Sequence, residues 1–274
     1  MKLIATLFSF ILFISCASSK EINYTASTPA SALVRNFLDI SLTDSIDFIR
    51  WKLTINDNQY SVDCNYGIGK PNTNGFYDGG KKVSFNGQIV KDKNIYTFKH
   101  NNQSLKFIEL NNNLLHILND DNTLMIGGGG WSYAINNTAP ATNDQLELSA
   151  TKTIIKDSMA FQGRTPCGVP GIIPAGKLCY KLKWYLVLYG NPAKNEPRTF
   201  RILGTGYRAE GGKRGTWKID TGKGGRIIYE LFDESGKTFI YLLKLDEGIL
   251  IFTDEKGNLL VGDHDFSYTL NREF

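Results

Sequence analysis

Apolar and polar residues alternate along much of this chain with a period of two. In "IRWKLTIN", Ile49, Trp51, Leu53 and Ile55 share one face, and Arg50, Lys52, Thr54 and Asn56 share the other. "LKWYLVLY" groups Leu182, Trp184, Leu186 and Leu188 in the same way. "WSYAI" groups Trp131, Tyr133 and Ile135, and "FSYTL" groups Phe266, Tyr268 and Leu270. Successive side chains of a strand point to opposite faces, so this pattern predicts half-buried strands. Turn-forming residues separate them: "NNN" at 111–113, "NDDN" at 119–122, "GKGG" at 222–225, "DESGK" at 233–237 and "EKGN" at 255–258. Strands of about six residues at intervals of about ten predict antiparallel meanders. One helix is expected, in "TPASALVRNFL", with Thr28 as its cap and Pro29 in its first position.

The pattern is written twice. "LNNNLLHILNDDNTLMIGGGGWSYAIN" (110–136) aligns without gaps on "LDEGILIFTDEKGNLLVGDHDFSYTLN" (245–271). Leu110, Leu115, Leu124, Gly127, Ser132, Tyr133 and Asn136 meet identical partners. Upstream, "RWKL" at 50–53 answers "KWYL" at 183–186, and "IYTF" at 95–98 answers "IYEL" at 228–231. The same order at four places implies duplication, and the period is far too long for a solenoid. The expectation is two tandem antiparallel β-barrel or sandwich domains of the lipocalin-like meander type, copy 1 over 32–145 and copy 2 over 146–274. Their boundary is expected in the polar "NNTAPATNDQ" at 136–145. Each copy is expected to begin at its Trp-bearing strand and to close with its Ser-Tyr strand, Tyr133 and Tyr268 pointing inward.

The first residues carry an address. "MKLIATLFSFILFISCASSK" has Lys2, an apolar run from 3 to 14, and then small residues, which is a secretory signal. Phe13-Ile14-Ser15-Cys16 resembles a bacterial lipobox, which would make Cys16 a lipidated first residue after a signal of 1–16. The alternative is cleavage after Ala17 and a soluble secreted protein. Polar residues over 17–31 then read as a flexible tether. In an oxidising compartment, Cys167 and Cys179 are expected to pair across the Gly/Pro-rich "GVPGIIPAGKL", stabilising by about 3 kcal/mol. Cys64 is left as a buried thiol.

A net charge of +4 gives no argument for nucleic acid. Its distribution is more telling, since 15 of the 31 Lys and Arg residues fall within 151–230. Arg198, Arg201, Arg208, Lys213, Arg214 and Lys218 are the candidate ligand-binding residues there. One positive face would suit an anionic glycan or an acidic envelope partner, against the blander reading of a solvated surface spread over several strands. Asp263, His264 and Asp265 are weak metal candidates in a tight loop whose counterpart is "GGG" at 128–130. His116, inside "LLHIL", reads as a packed or surface strand residue. The four glycines at 127–130 precede a strand, so they read as a hairpin or bulge rather than a phosphate cradle. No nucleophile elbow or other catalytic constellation is present in the sequence, and no cofactor is implied.

The Pro166-Cys167 start, the Leu/Tyr-rich "KWYLVLY" and the Gly-x-Trp strand at 215–217 resemble the N-terminal domain of NlpE-type outer-membrane lipoproteins. They are also similar to a group of Bacteroidetes lipoproteins sharing "GRTPC", "KWYLVLY" and "DFSYTLNR". The resemblance implies a small lipocalin-like barrel, an outer-membrane anchor, and a role in envelope stress sensing, adhesion or copper tolerance. The family's Cys-x-x-Cys is replaced here by "TPCGVPG". The resulting expectation is a non-enzymatic, lipid-anchored envelope protein acting as a binding, sensor or adaptor module. The alternatives are a carrier of a hydrophobic ligand and a copper-handling lipoprotein, the latter needing Cys167 and Cys179 as free thiols. The functional weight is expected in the Cys167–Cys179 loop and the basic strands after it.

Overall fold

The structure, a computed structural model, describes residues 21–71, 73–141, 153–169, 172, 178–204, 207, 211–222 and 225–274. The signal segment with Cys16, the basic Arg208, and 142–152 of the inter-copy stretch lie outside the described residues. In the first copy the strands are β1 (Ile22–Thr28), β2 (Phe48–Asn56), β3 (Gln59–Gly67), β4 (Lys81–Asp92), β5 (Ile95–His100), β6 (Gln103–Asn111), β7 (Leu114–Ile117) and β8 (Ala134–Asn137). The second has β9 (Ser158–Thr165), β10 (Leu182–Asn191), β11 (Glu196–Gly204), β12 (Lys213–Thr221), β13 (Ile227–Asp233), β14 (Thr238–Lys244), β15 (Ile249–Thr253) and β16 (Thr269–Arg272).

Each set forms a closed antiparallel barrel in up-and-down order. The two closures are equivalent. β1 meets β8 with Thr25 opposite Asn136, and β9 meets β16 with Gln162 opposite Asn271. An eight-stranded barrel is just wide enough inside for its own side chains or for one small ligand. Trp51, Phe37, Phe98 and Phe107 fill the first interior, and Trp184, Trp217, Tyr229, Phe200 and Phe252 fill the second. Outward positions such as Lys52, Asp63 and Tyr185 stand toward solvent. That is the reverse of a barrel that spans a bilayer, whose apolar band faces out.

The expected tether over 17–31 is corrected at its second half, and copy 1 starts before residue 32. Residues Ile22–Thr28 form β1, which pairs along its length with β2 and closes the barrel on β8. Its hydroxyl and amide side chains disguise it, yet Tyr24 and Ala26 alternate into the core. Each copy therefore begins one strand earlier than the Trp strand. Both first strands end in Thr-Pro, and the indole N–H of the following strand's Trp donates to that Thr: Trp51 to Thr28 at 2.8 Å, and Trp184 to Thr165 at 2.8 Å. Thr28 is thus engaged elsewhere and does not cap the helix. Helix α1 is Ala32–Phe37, and Ser31 accepts from the Val34 N–H as its cap.

Helix α1 lids the first barrel with Val34, Phe37 and Leu38. In the corresponding place between β9 and β10, the second copy has the cystine loop. Cys167 and Cys179 are disulfide-bonded, as expected, and Val169 and Ile172 of this loop lie in the second core. Cys64 is a buried free thiol in the first core, its pKa pushed well up by burial. Tyr133 and Tyr268 are core residues, and their hydroxyls are held by Ser31 and by the backbone of Gly168, so each ties the closing strand to its lid. Trp131 and Phe266 were expected to share the inward face with these tyrosines. They lie ahead of the strands and turn outward instead, into a separate aromatic cluster.

Candidate functional site

The two barrels meet along a seam built from duplicated residues. Ile108, Leu110 and Leu114 of β6–β7 pack with Leu243, Leu245 and Ile249 of β14–β15 and the turn between them. These are counterparts of one another in the two copies. "LLHIL" and "ILIF" are buried on both strand faces, one face lining a barrel and the other lining the seam. His116 falls on the seam face. It is 0% exposed, its Nε2 lies 2.9 Å from the Met125 carbonyl, and its Nδ1 has no partner. Burial pushes its pKa down to about 4, so it is neutral.

A reciprocal clasp closes the seam. Asn136 of the first barrel accepts from the Gly262 N–H at 3.0 Å and donates to the Phe266 and Asp263 carbonyls of the second. Asn271 of the second barrel accepts from the Gly127 N–H at 2.8 Å and donates to the Trp131 carbonyl of the first. The two asparagines are the final identical residues of the repeat, and the two glycines are equivalent. A Cβ on Gly127 would fall on the Trp131 carbonyl oxygen, and one on Gly262 would fall on that of Phe266. The repeated Gly…Ser-Tyr…Asn phrase thus encodes both a closing strand and half of a pseudo-symmetric interface.

Beside the clasp, four aromatic rings stack across the seam. Centroid separations are 4.4 Å for Phe76–Phe48, 4.4 Å for Phe48–Trp131 and 5.4 Å for Trp131–Phe266. Cations lie on their faces: Arg164 is 4.5 Å from the Trp131 ring and Lys181 is 5.4 Å from Phe266. A cleft of about 560 Å³ opens here, lined by Trp131, Gly128, Gly129, Arg164, Lys181, Lys183, Lys70 and Asp47, among others. Desolvation lowers the Arg164 pKa from its ordinary value, with Asp47 opposing. Desolvation also lowers that of Lys181, followed by the nearby charges of Arg164 and Lys183, with Asp265 opposing.

On the other side of the seam, Arg50 forms an ion pair with Asp265 at 2.7 Å and donates to the Asn74 carbonyl. Asn74 in turn donates to Asp265 at 2.8 Å. Asp263 is committed as well, accepting from the N–H groups of Asp265 and Phe266 to hold its loop. The His264 carbonyl accepts from Thr25 at 3.3 Å. The "DHD" loop therefore works as a cross-seam contact, and no group of three metal-ligating side chains forms among the described residues.

The basic residues singled out in the sequence do not converge in this cleft. Arg201 of β11 and Arg214 of β12 are opposed across the strand pair, and together with Asp233 and Glu234 they line a separate surface depression. Lys218 lies 4.6 Å from the Phe232 ring on the outer face, Lys213 lies against Phe239, and Arg198 is exposed near the start of β11. The pleat splits them, because Lys213 has the parity of the buried Trp217 while Arg214 and Lys218 have the opposite one. The cleft cations Arg164, Lys181 and Lys183 were not foreseen. Their signal was "RTPC" and "YKLKW" set against the equivalent "STPA" and "DFIRW": the second copy has Arg164 for Ser27 and Lys181 for Phe48, while Lys183 answers Arg50.

Fold and seam together define a fused double β-barrel with filled interiors. Compared with known proteins, the chain matches no family model, no curated relative and no solved structure.

Proposed function

We propose that this chain is a non-catalytic binding module of the bacterial envelope, exported, anchored to the outer membrane through Cys16, and acting as a sensor or adaptor. The observation that carries this reading is the state of the two interiors. Large aromatics occupy both, leaving recognition to the outer surfaces and the seam rather than to a central ligand chamber. The lipobox-like Phe13-Ile14-Ser15-Cys16 supports the anchor, and the NlpE-type likeness over about 160–272 supports the envelope role. A hydrophobic carrier is disfavoured by the same packing. Copper handling through Cys167 and Cys179 is disfavoured by their disulfide, which consumes both thiolates.

Native mass spectrometry of the mature protein isolated from envelopes tests this directly. The expected result is an acylated chain beginning at Cys16 with no lipophilic passenger. A chain beginning at Ser18 without acyl mass would overturn the anchor. A retained lipophilic molecule released only on unfolding would overturn the binding-module reading in favour of a carrier.

A further inference from the structure

The seam is built by duplication, so its two sides are a natural comparison. In the first copy β1 and β2 place Ser27 opposite Arg50, and in the second β9 and β10 place Arg164 opposite Lys183. Phe48, which stacks on Trp131, corresponds to Lys181, which lies over Phe266. One cation on one side thus faces three on the other. The loops that cover them differ in the opposite sense. The loop over Arg50 supplies Asp265, an ion-pair partner at 2.7 Å. The loop that lines the Arg164 side is Gly128-Gly129-Gly130, with no side chain at all. Gly129 and Gly130 have φ of 61° and 81°, and a Cβ on Gly130 would touch Arg164 at 3.0 Å, so the loop lies close against the guanidinium.

Like charges placed directly opposite on neighbouring strands are destabilising. Arg164 is also partly desolvated in the cleft, and burial, followed by the charges of Arg164 and Lys183, lowers the proton affinity of Lys181. The Arg164 guanidinium rests on Trp131 and has no hydrogen-bond acceptor among the described residues; Asp47, exposed at the rim and accepting from the Gly69 N–H, is the one carboxylate lining the cleft. A guanidinium offers a planar fork of donors matched to an oxyanion.

We propose that this cleft is an oxyanion-binding site, in which Arg164 and Lys181 take the sulfate, phosphate or carboxylate group of a small ligand in the place that Asp265 occupies on the other side. The site deepens the binding-module reading and rests on it. The cleft volume of about 560 Å³ is enough for a charged monosaccharide as well as for the bare ion.

The test is isothermal titration calorimetry on the whole mature protein at low ionic strength. The probes are inorganic phosphate, inorganic sulfate, glucuronate and glucose 6-phosphate. Saturable binding of at least one is expected. The Arg164→Gln/Lys181→Gln double variant should weaken it at least 10-fold, and Gly128→Asp, which restores an acid from the "DHD" loop, at least 5-fold. Gly128 has open space around its Cβ position, so that substitution meets no clash. Lys256→Gln, on an exposed turn, should leave the affinity unchanged. Amide chemical-shift changes centred on 128–131 would place the ligand, and thermal melts confirm that each variant is folded. Sugar-borne probes binding at least 10-fold tighter than the inorganic ions would assign the group to a glycan; equal affinities would assign it to a free ion. Absence of binding by all four, or binding that both cleft variants leave intact, would overturn the proposal. Neither result would touch the acylated N-terminus and the absence of a lipophilic passenger, the two outcomes on which the wider reading is tested.

Discussion

His116 makes the fold acid-sensitive at one identifiable atom. It sits on the seam face of β7, where the second copy has Ile251, a member of the apolar seam cluster. An unfolded His titrates near 6.5, while burial pushes the folded one to about 4. Between those values the unfolded chain binds a proton that the folded chain refuses, so stability falls as pH falls. The contribution is fully present above about pH 6.5 and is lost toward pH 4, at about 1.4 kcal/mol per pH unit, or about 3 kcal/mol in all. Histidine→isoleucine at this position, H116I, copies the duplicated residue and removes the titration. At pH 7 the lost Met125 hydrogen bond is offset by removal of an unpartnered buried Nδ1, so the two proteins should agree within about 1 kcal/mol. Guanidinium unfolding at pH 7.0, 5.5 and 4.5 measures the difference. Wild type should lose about 2–3 kcal/mol more than H116I on going from pH 7.0 to 4.5, the carboxylate contributions being common to both. A gap between the two proteins that stays constant with pH would refute the reasoning, because it would mean that the imidazole titrates alike in the folded and unfolded chains and is not desolvated in the seam.

Other outcomes follow from the clasp, its glycines and the cystine. Asn136→Ala and Asn271→Ala each strand cross-barrel backbone groups, and each should cost about 1–3 kcal/mol in denaturant unfolding. Near-equal values are expected because the sites are pseudo-equivalent; one silent variant would break the symmetry argument. Gly127→Ala and Gly262→Ala force a Cβ onto a carbonyl oxygen, so each should lower the melting temperature more than the matching asparagine change does, whereas Gly128→Ala should be tolerated. Cys167→Ser/Cys179→Ser opens a loop with 12 residues of sequence separation and should destabilise the second barrel by about 3 kcal/mol, read by calorimetry against the same chain under reducing conditions.

The barrel cores were legible because one-sided strands announce themselves. Ile49, Trp51 and Leu53, or Trp184, Leu186 and Leu188, alternate with polar residues, and alternation reports one dry face. The seam was less legible for the same reason. Leu114, Leu115, His116 and Ile117 are all buried, as are all five residues of Ile249–Thr253, and a run with no polar face carries no phase. Its message was two-sided burial, which in a duplicated chain means barrel against barrel. β1 failed differently: Asn23, Thr25 and Ser27 make it look like solvated tether, whereas Thr25 and Ser27 are polar residues buried by pairing and by the neighbouring copy. The basic residues after the cystine loop are divided between faces, because proximity in sequence along two strands does not survive the pleat. Arg214 and Lys213 are neighbours in the chain and have opposite parity in the sheet.

What the duplication conserves and what it varies have different physical meanings. Gly127 and Gly262, and Asn136 and Asn271, are identical because each serves the same contact twice, once from either side of a pseudo-two-fold seam, while Tyr133 and Tyr268 each tie a closing strand to the lid of its own barrel. Such contacts are locked in pairs, since each asparagine binds the other copy's loop and a change in one copy is felt in the other. The residues between them are free of that constraint. There the copies diverge in charge, with "DHD" facing Arg50 and "GGG" facing Arg164 and Lys181. A symmetric interface needs no such imbalance for its stability, and the partly desolvated Arg164 guanidinium, resting on Trp131 with Asp47 at the rim, works against it. The asymmetry is therefore the part of the seam that the fold does not explain, and a ligand bearing the missing negative charge accounts for it with one group in one place.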